Sequence, residues 1–242
     1  WSSDVCSSDL NPGFNSKYDQ VHLGMAGTSL GNVVIGLYGL WHQRGWGVGG
    51  TTCDFGLAIS HDGLHFHEPV KGHVFLSSAD SPVTAVPGRQ YPTILAQSNG
   101  VLNHGDETRI YHGRWRNVDY PSDNAMDYWA EVALATLPRD RWGALGLFPD
   151  AKEGAVWSTP IRLPLRPGDV TLNAESASLV TVEIADAQFR LLPDFSGVNA
   201  GATAVAGGLD CPVRWPKGAL KVLGGKTVRL RLQLRKQDAM TP

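Results

Sequence analysis

Apolar and β-branched residues gather in short stretches along the chain, and glycine, proline and polar residues separate these stretches. Residues 33–41, VVIGLYGLW, form the clearest stretch and end at a glycine-rich loop, a pattern that predicts a strand. Further strands are predicted at residues 20–26, 55–60 and 64–75, with Asp62-Gly63 as a hairpin turn. Joined by short connections, these four strands predict an antiparallel meander.

The same order of strands and turns recurs in the next part of the chain. Strands are predicted at residues 91–102, 108–115, 129–137 and 155–163. Four-stranded meanders that recur at this size are typical of propeller blades. Residues 18–164 are therefore predicted to form β-propeller blades, too few of them to close a complete propeller.

The pattern changes after residue 164. Strands are predicted at residues 170–173, 179–185 and 226–234, and the last two alternate strictly between apolar and polar positions. Short strands between Gly, Pro and Asn turns are typical of a β-sandwich. The predicted fold class is therefore all-β, with partial propeller blades followed by a C-terminal β-sandwich at residues 165–242.

The first ten residues, WSSDVCSSDL, do not fit either part. They lack an initiator Met and the apolar core of a signal peptide. Residues 1–17 are therefore interpreted as a non-native or disordered lead segment, and the chain proper is expected to begin inside a longer protein. On this interpretation the localisation stays open, with secretion or the periplasm compatible with the sequence, and so does the oligomeric state.

Composition excludes several kinds of partner. Lys and Arg number 21 against 23 for Asp and Glu, which gives a net charge of −2, so nucleic acid is not an expected partner. No apolar run approaches the roughly 20 residues of a membrane span, so no membrane partner is expected. Cys6, Cys53 and Cys211 are too scattered for a disulfide framework, although a Cys53–Cys211 bridge stays open. His65 and His67 lack a third ligand at suitable spacing, so neither a metal nor a cofactor is predicted.

Several segments carry a family resemblance in their order along the chain: GLYGLWH, DFGLAISHDGLHF, GDETRIYHGRW, VALATLPRDRW and a C-terminal series that includes VRLRLQLR. Over residues 18–237 the chain resembles the superfamily of glycoside hydrolase families 32 and 43. The resemblance implies a five-bladed propeller, followed in family 32 by a β-sandwich. It also implies hydrolysis of glycosidic bonds by paired carboxylates in a propeller pocket.

The resemblance stops short of the catalytic residues. The WMNDPNG-like nucleophile segment and the RDP and ECP tripeptides of these families are absent from the sequence. The chain is therefore interpreted as the C-terminal portion of a glycoside hydrolase that lacks the nucleophile. A non-catalytic carbohydrate-binding or structural propeller protein is the alternative, because one fold serves several functions.

Blade geometry predicts which segments border a pocket. Connections at residues 42–54, 80–90 and 112–127 are expected on one face of the blades, where loops carry function. Asp54 is the predicted catalytic residue, as a general acid in a poorly solvated loop. The alternative is that Asp54 caps the turn that precedes the next strand.

The predicted partner is a carbohydrate, and five residues are predicted to bind it. Trp46 and Trp115 are expected to stack on sugar rings, although buried tryptophan is also ordinary core packing. His42, Arg89 and His112 are expected to donate hydrogen bonds to hydroxyls, a uronate or a sulfate. The alternative for the arginine is an ion pair with a nearby carboxylate.

Overall fold

A computed structural model describes residues 25–31, 33–42, 50–118 and 125–236 of the chain. Within these residues the secondary structure consists of β-strands and of 3-10 turns three or four residues long. The all-β fold class predicted from the sequence is therefore confirmed, and the sheets are curled. The predicted lead segment at residues 1–17 and most of the strand predicted at residues 20–26 lie outside the described residues.

The chain divides into two units, residues 1–137 and residues 138–242. The described residues of the first unit form one seven-stranded sheet in the order β1-β2-β3-β5-β6-β7, with β4 also paired to β3. Its strands are β1 (Met25–Ser29), β2 (Val34–His42), β3 (Thr52–Ser60), β4 (Val74–Leu76), β5 (Thr93–His104), β6 (Glu107–Arg116) and β7 (Ala130–Pro138). Strands β3 and β5 run parallel and pair at Cys53 and Ile94, whereas β1 with β2, β2 with β3, and β5 with β6 are antiparallel.

The β2–β3 pair is buried on both of its faces, which explains its nearly continuous apolar sequence. Tyr38, Leu40 and Ala58 form a small cluster on one face. Glycine at position 56 makes room for the Tyr38 ring, because a Cβ there would lie 2.3 Å from Cζ of Tyr38. Leu37 and Phe55 are buried on the opposite face.

Residues 138–236 of the second unit form two smaller sheets. Its strands are β8 (Glu153–Trp157), β9 (Ile161–Arg162), β10 (Thr171–Ala174), β11 (Val180–Asp186), β12 (Gly208–Pro212) and β13 (Thr227–Arg235). One sheet has the order β11-β13-β8 with β9 on β13, and the other pairs β10 with β12. Val182, Ile184, Phe195 and Trp215 belong to its core, where the Trp215 indole donates to the Val182 carbonyl at 3.0 Å.

The observed strands differ from the predicted blades mainly in which strands pair with each other, and less in the residues that form each strand. Residues 155–163 were predicted as the fourth strand of a blade, but they contribute to β8 and β9, which pair with β13 in the second unit. Residues 64–75 do not form one strand, since only the bridge between Ile59 and His67 precedes β4. Alternation along a strand predicts which side chains share a face, but it does not identify the neighbouring strand. The propeller and the sandwich stay predictions.

Candidate functional site

The first unit contains a cleft of about 690 Å³ at the end of the β2–β3 pair. Most of the side chains that line it are polar. They are His42, Thr52, Asp54, Ser77, Ser78, Gln90 and Thr93, with Val74, Ala79 and Pro82 as the apolar part of the lining. Its volume lies within the range of sites that bind small molecules in proteins.

Strand pairing places His42 and Asp54 next to each other on the wall of this cleft. Leu40 pairs with Asp54 and His42 with Thr52, so His42 and Asp54 are diagonal neighbours on one face of the sheet. The Nε2 atom of His42 lies 2.9 Å from Oδ2 of Asp54. The other carboxylate oxygen, Oδ1, accepts a hydrogen bond from the Ser78 amide at 2.6 Å. The Asp54 carboxylate is therefore fixed by the Ser78 amide and lies against the His42 imidazole.

The imidazole of His42 is held at one nitrogen and open elsewhere. Its Nε2 atom is buried and approaches Asp54 without the angle of a hydrogen bond, whereas the side chain as a whole is 38% exposed. The exposed surface therefore belongs to side-chain atoms other than Nε2. An imidazole exchanges protons near neutral pH, and a carboxylate that orients it is a common feature of acid–base sites. The pair is chemically suited to proton transfer with a ligand in the cleft.

Asp54 does not lie on a loop, as the sequence predicted, but inside β3. Among the described residues its backbone partner is the amide of Ser78, 24 residues further along the chain. Residues 43–49 of the turn before the strand lie outside the described residues, so the turn-capping alternative stays a prediction. The strand begins at Thr52, before the predicted start at residue 55, because Thr52 and Asp54 alternate with Cys53 and Phe55 and so extend the period-two pattern.

His112 is buried in β6 and does not line the described cleft. It is 2% exposed, its Nε2 atom lies 3.0 Å from Oγ of Ser81, and its ring meets the Phe55 ring edge-on at 5.6 Å. Burial lowers the pKa of His112, the Ile110 carbonyl opposes this, and the charge of Arg114 lowers it further. The imidazole is therefore neutral at neutral pH and anchors the segment that contains Ser81 to the sheet.

Arg89 and Trp115 are not part of the cleft lining either. Arg89 donates to the Tyr91 hydroxyl at 2.7 Å and to Asp127 at 3.1 Å, as the ion-pair alternative expects. Trp115 lies on the face of β6 opposite to His112, because the two positions differ by an odd number of residues. It borders a separate cavity of about 320 Å³. Trp46 lies outside the described residues, so within the described part of the chain the cleft brings together two of the six predicted residues, His42 and Asp54.

A smaller cavity of about 190 Å³ adjoins the cleft, since both are lined by Pro82, Gln90 and Thr93. Arg116, at the end of β6, is part of its lining. The sequence prediction did not include Arg116. The alternation of His112, Arg114 and Arg116 along β6 is the signal that places these three side chains on one face of the sheet.

Glu131 in β7 is a second residue that the sequence prediction missed. Its carboxylate accepts hydrogen bonds from the Thr84 amide at 2.9 Å, from Arg114 at 2.8 Å and from the Trp129 indole at 3.2 Å. Burial acts to raise the pKa of Glu131, but these hydrogen bonds outweigh it and lower the pKa to about 2. The ionised carboxylate therefore fixes the segment around Thr84 to the sheet.

Cys53 and Cys211 are both free and buried, one in each unit, so they do not form the disulfide that the sequence left open. Burial raises the pKa of the Cys53 thiol to about 12.

Among residues 25–31, 33–42, 50–118 and 125–236, no group of three or more His, Cys, Asp or Glu side chains is arranged to hold a metal ion. The same residues contain no helix long and apolar enough to cross a membrane.

Comparisons of the chain with protein-family models, with curated proteins and with solved structures found no match.

Proposed function

We propose that the cleft beside His42 and Asp54 binds a carbohydrate, and that the chain is part of a carbohydrate-active protein of the glycoside hydrolase type. The observation that carries this proposal is the lining of the cleft, where an imidazole, a carboxylate, a carboxamide and several hydroxyls meet in about 690 Å³. Each hydroxyl of a sugar both donates and accepts hydrogen bonds, and this set of side chains offers both kinds of partner. The ordered segments that resemble families 32 and 43 support the same proposal.

The chemistry of such a site is acid–base catalysis. Hydrolysis of a glycosidic bond needs one group that protonates the leaving oxygen and another that acts as base or nucleophile. His42 is the group that moves a proton, and Asp54, fixed by the Ser78 amide, orients its ring. Paired carboxylates stand about 5–5.5 Å apart in retaining enzymes and about 6.5–9.5 Å apart in inverting ones. Asp54 is the one carboxylate in the described lining and is assigned to the orientation of His42, so the base or nucleophile has to come from residues beyond this lining.

A non-catalytic carbohydrate-binding protein is the second candidate, and one observation favours it. One oxygen of Asp54 already accepts a hydrogen bond from the Ser78 amide and the other lies 2.9 Å from His42, and no other carboxylate lines the described part of the cleft. In a binding protein the same two residues would accept and donate hydrogen bonds to sugar hydroxyls without proton transfer. The two candidates therefore differ in turnover and agree on the ligand.

The test measures binding and turnover together. The chain is incubated with a panel of polysaccharides and aryl glycosides, and new reducing ends, released aryl alcohol and ligand-induced shifts of the melting temperature are recorded. The variants Asp54→Asn and His42→Gln are compared with Asp62→Asn. Asp62 makes a similar contact with His65, 2.7 Å between Oδ2 and Nδ1, on an exposed turn away from the cleft lining.

For the hydrolase, His42→Gln lowers turnover by about a hundredfold or more, the usual effect of losing a general acid or base. Binding without turnover, weakened by the two cleft variants and unaffected by Asp62→Asn, would support the binding protein instead. The absence of both binding and turnover with every member of the panel would overturn the proposed function. An equal loss in Asp62→Asn would overturn the assignment of the site.

A further inference from the structure

The small cavity beside the cleft is lined by a guanidinium group whose position is fixed by carbonyl oxygens. The Nε atom of Arg116 donates to the Thr84 carbonyl at 2.7 Å, and one terminal nitrogen donates to the Asp127 carbonyl at 3.1 Å. The guanidinium also lies 5.8 Å from the Trp129 ring centre. These contacts hold the planar group in one orientation, and the other terminal nitrogen has no hydrogen-bond partner among the described residues.

The charges around this cavity do not balance. The Asp127 carboxylate accepts hydrogen bonds from the Tyr91 hydroxyl at 2.7 Å and from Arg89 at 3.1 Å. The Tyr91 hydroxyl lowers the pKa of Asp127, burial opposes this, and Arg89 and Arg116 lower it further, so Asp127 stays ionised. Arg114 pairs with Glu131, whose carboxylate also accepts from the cavity residue Thr84, so three guanidinium groups lie beside two carboxylates. No carboxylate in the described residues forms an ion pair with Arg116.

The position of the cavity connects this charge to the proposed ligand. Gln90 and Thr93 line both the cleft and the cavity, so the two spaces are neighbours, and the proposed subsite requires a substituent of a ligand in the cleft to pass these side chains toward Arg116. The cavity volume of about 190 Å³ equals roughly six water molecules at about 30 Å³ each. That space suits a charged substituent on a sugar better than a long branch.

We propose that this cavity is a subsite for an anionic group on the bound glycan, either the carboxylate of a uronic acid or a sulfate ester, and that Arg116 recognises it. The inference rests on the proposed function, because it specifies the class of carbohydrate that the cleft takes. An oriented arginine binds carboxylate and sulfate oxygens by charge-assisted hydrogen bonds, which are stronger than neutral ones. The free charge of the subsite selects an anionic glycan over its neutral counterpart.

The test is a glycan array that presents matched pairs. Uronate-containing oligosaccharides are printed beside their methyl esters, and sulfated galactan oligosaccharides beside their desulfated forms. The variants are Arg116→Gln and, as control, Arg109→Gln. Arg109 lies on the opposite face of β6 and pairs with Glu107 at 3.2 Å, so its loss removes the same charge without touching the cavity.

The unmodified chain binds the charged member of a pair about tenfold or more tightly than the neutral member, as expected of a charge-assisted contact. This preference disappears in Arg116→Gln and persists in Arg109→Gln. It also weakens when salt is raised from about 0.05 to about 0.5 M, because salt screens a partly exposed charge. The uronate and sulfate arms show which of the two anions the subsite accepts.

Equal binding of charged and neutral members would overturn the subsite and leave the proposed function intact. A preference that survives Arg116→Gln would overturn the role of Arg116. If that variant does not fold, a charge preference of the unmodified chain that is insensitive to salt overturns the inference by itself. Binding to no glycan on the array would overturn both the inference and the proposed function.

Discussion

The Nε2 atom of His112 lies 3.0 Å from the hydroxyl oxygen of Ser81. This contact fixes the segment before β5 against the face of β6 that carries His112. The same segment supplies Ser78, which binds Asp54, and Pro82, which borders both cavities. A buried neutral histidine therefore supports the architecture of the candidate site without lining it.

The stability of the first unit is expected to fall as the pH is lowered below about 6.5, the ordinary pKa of histidine. Burial lowers the pKa of folded His112, so the unfolded chain takes up its proton first. The contribution is fully present above the unfolded pKa and is lost as the pH falls through the folded one. Melting temperatures measured at a series of pH values should fall less steeply in His112→Gln. Equal slopes in the two proteins would contradict this role.

Glu131 is expected to produce a second loss of stability at lower pH. Its pKa falls from 4.5 to about 2 on folding, so its contribution is present above 4.5 and is lost between these values. Glu131→Gln should remove this part of the acid dependence, measured by chemical unfolding between pH 5 and pH 2. Glu107→Gln, with a side chain 49% exposed, serves as the control. The same acid dependence in Glu131→Gln as in the unmodified chain would show that the hydrogen bonds to the Glu131 carboxylate do not contribute to stability.

Gly56→Ala is expected to destabilise the β2–β3 pair. A Cβ at Gly56 would lie 2.3 Å from Cζ and 2.6 Å from the hydroxyl oxygen of Tyr38, so the buried ring has to move. Overpacking of this kind costs about 1–3 kcal/mol of unfolding free energy. Gly27→Ala is the matched control, since its nearest atom outside the adjacent residues, Cγ1 of Val34, lies at an ordinary 3.5 Å. Urea denaturation measures both, and equal losses would show that the Tyr38 contact is not the cause.

Glu183→Ala is expected to destabilise the second unit strongly. The Glu183 carboxylate is buried and accepts hydrogen bonds from Arg231, from Gln233 at 2.7 Å and from the Gly197 amide at 2.8 Å. Its removal leaves these donors without a partner and should cost about 3–5 kcal/mol. Glu175→Ala breaks an ion pair whose carboxylate side chain is 87% exposed and should cost less than about 1 kcal/mol. Denaturant titration compares the two, and a loss below about 1 kcal/mol for Glu183→Ala would contradict the prediction.

Local alternation predicted much of the strand content. The predicted strands at residues 179–185 and 226–234 correspond within one residue to β11 (Val180–Asp186) and β13 (Thr227–Arg235). Alternation could not identify partners, because a strand with an apolar face fits more than one neighbour. This is why residues 155–163 were assigned to a blade, whereas β8 and β9 pair with β13.

The candidate site was predicted in its chemistry more than in its geometry. His42 and Asp54 were named from the sequence, but their contact depends on the register of β2 and β3, which the sequence does not state. Trp115 and His112 were expected to border one pocket, yet their odd spacing puts the two side chains on opposite faces of strand β6. Whether the remaining tryptophan, Trp46, joins the cleft stays a prediction.

The reaction of Cys53 and Cys211 with a thiol reagent reports the opening of each unit. Each thiol is at most 1% exposed, so a water-soluble thiol reagent reaches it only after the surrounding strands separate. In a Cys6→Ser background, the labelling rates of these two cysteines report the opening free energies of the two units separately and in one sample. The effect of a bound glycan on the first unit can then be read from Cys53, with Cys211 as the internal reference.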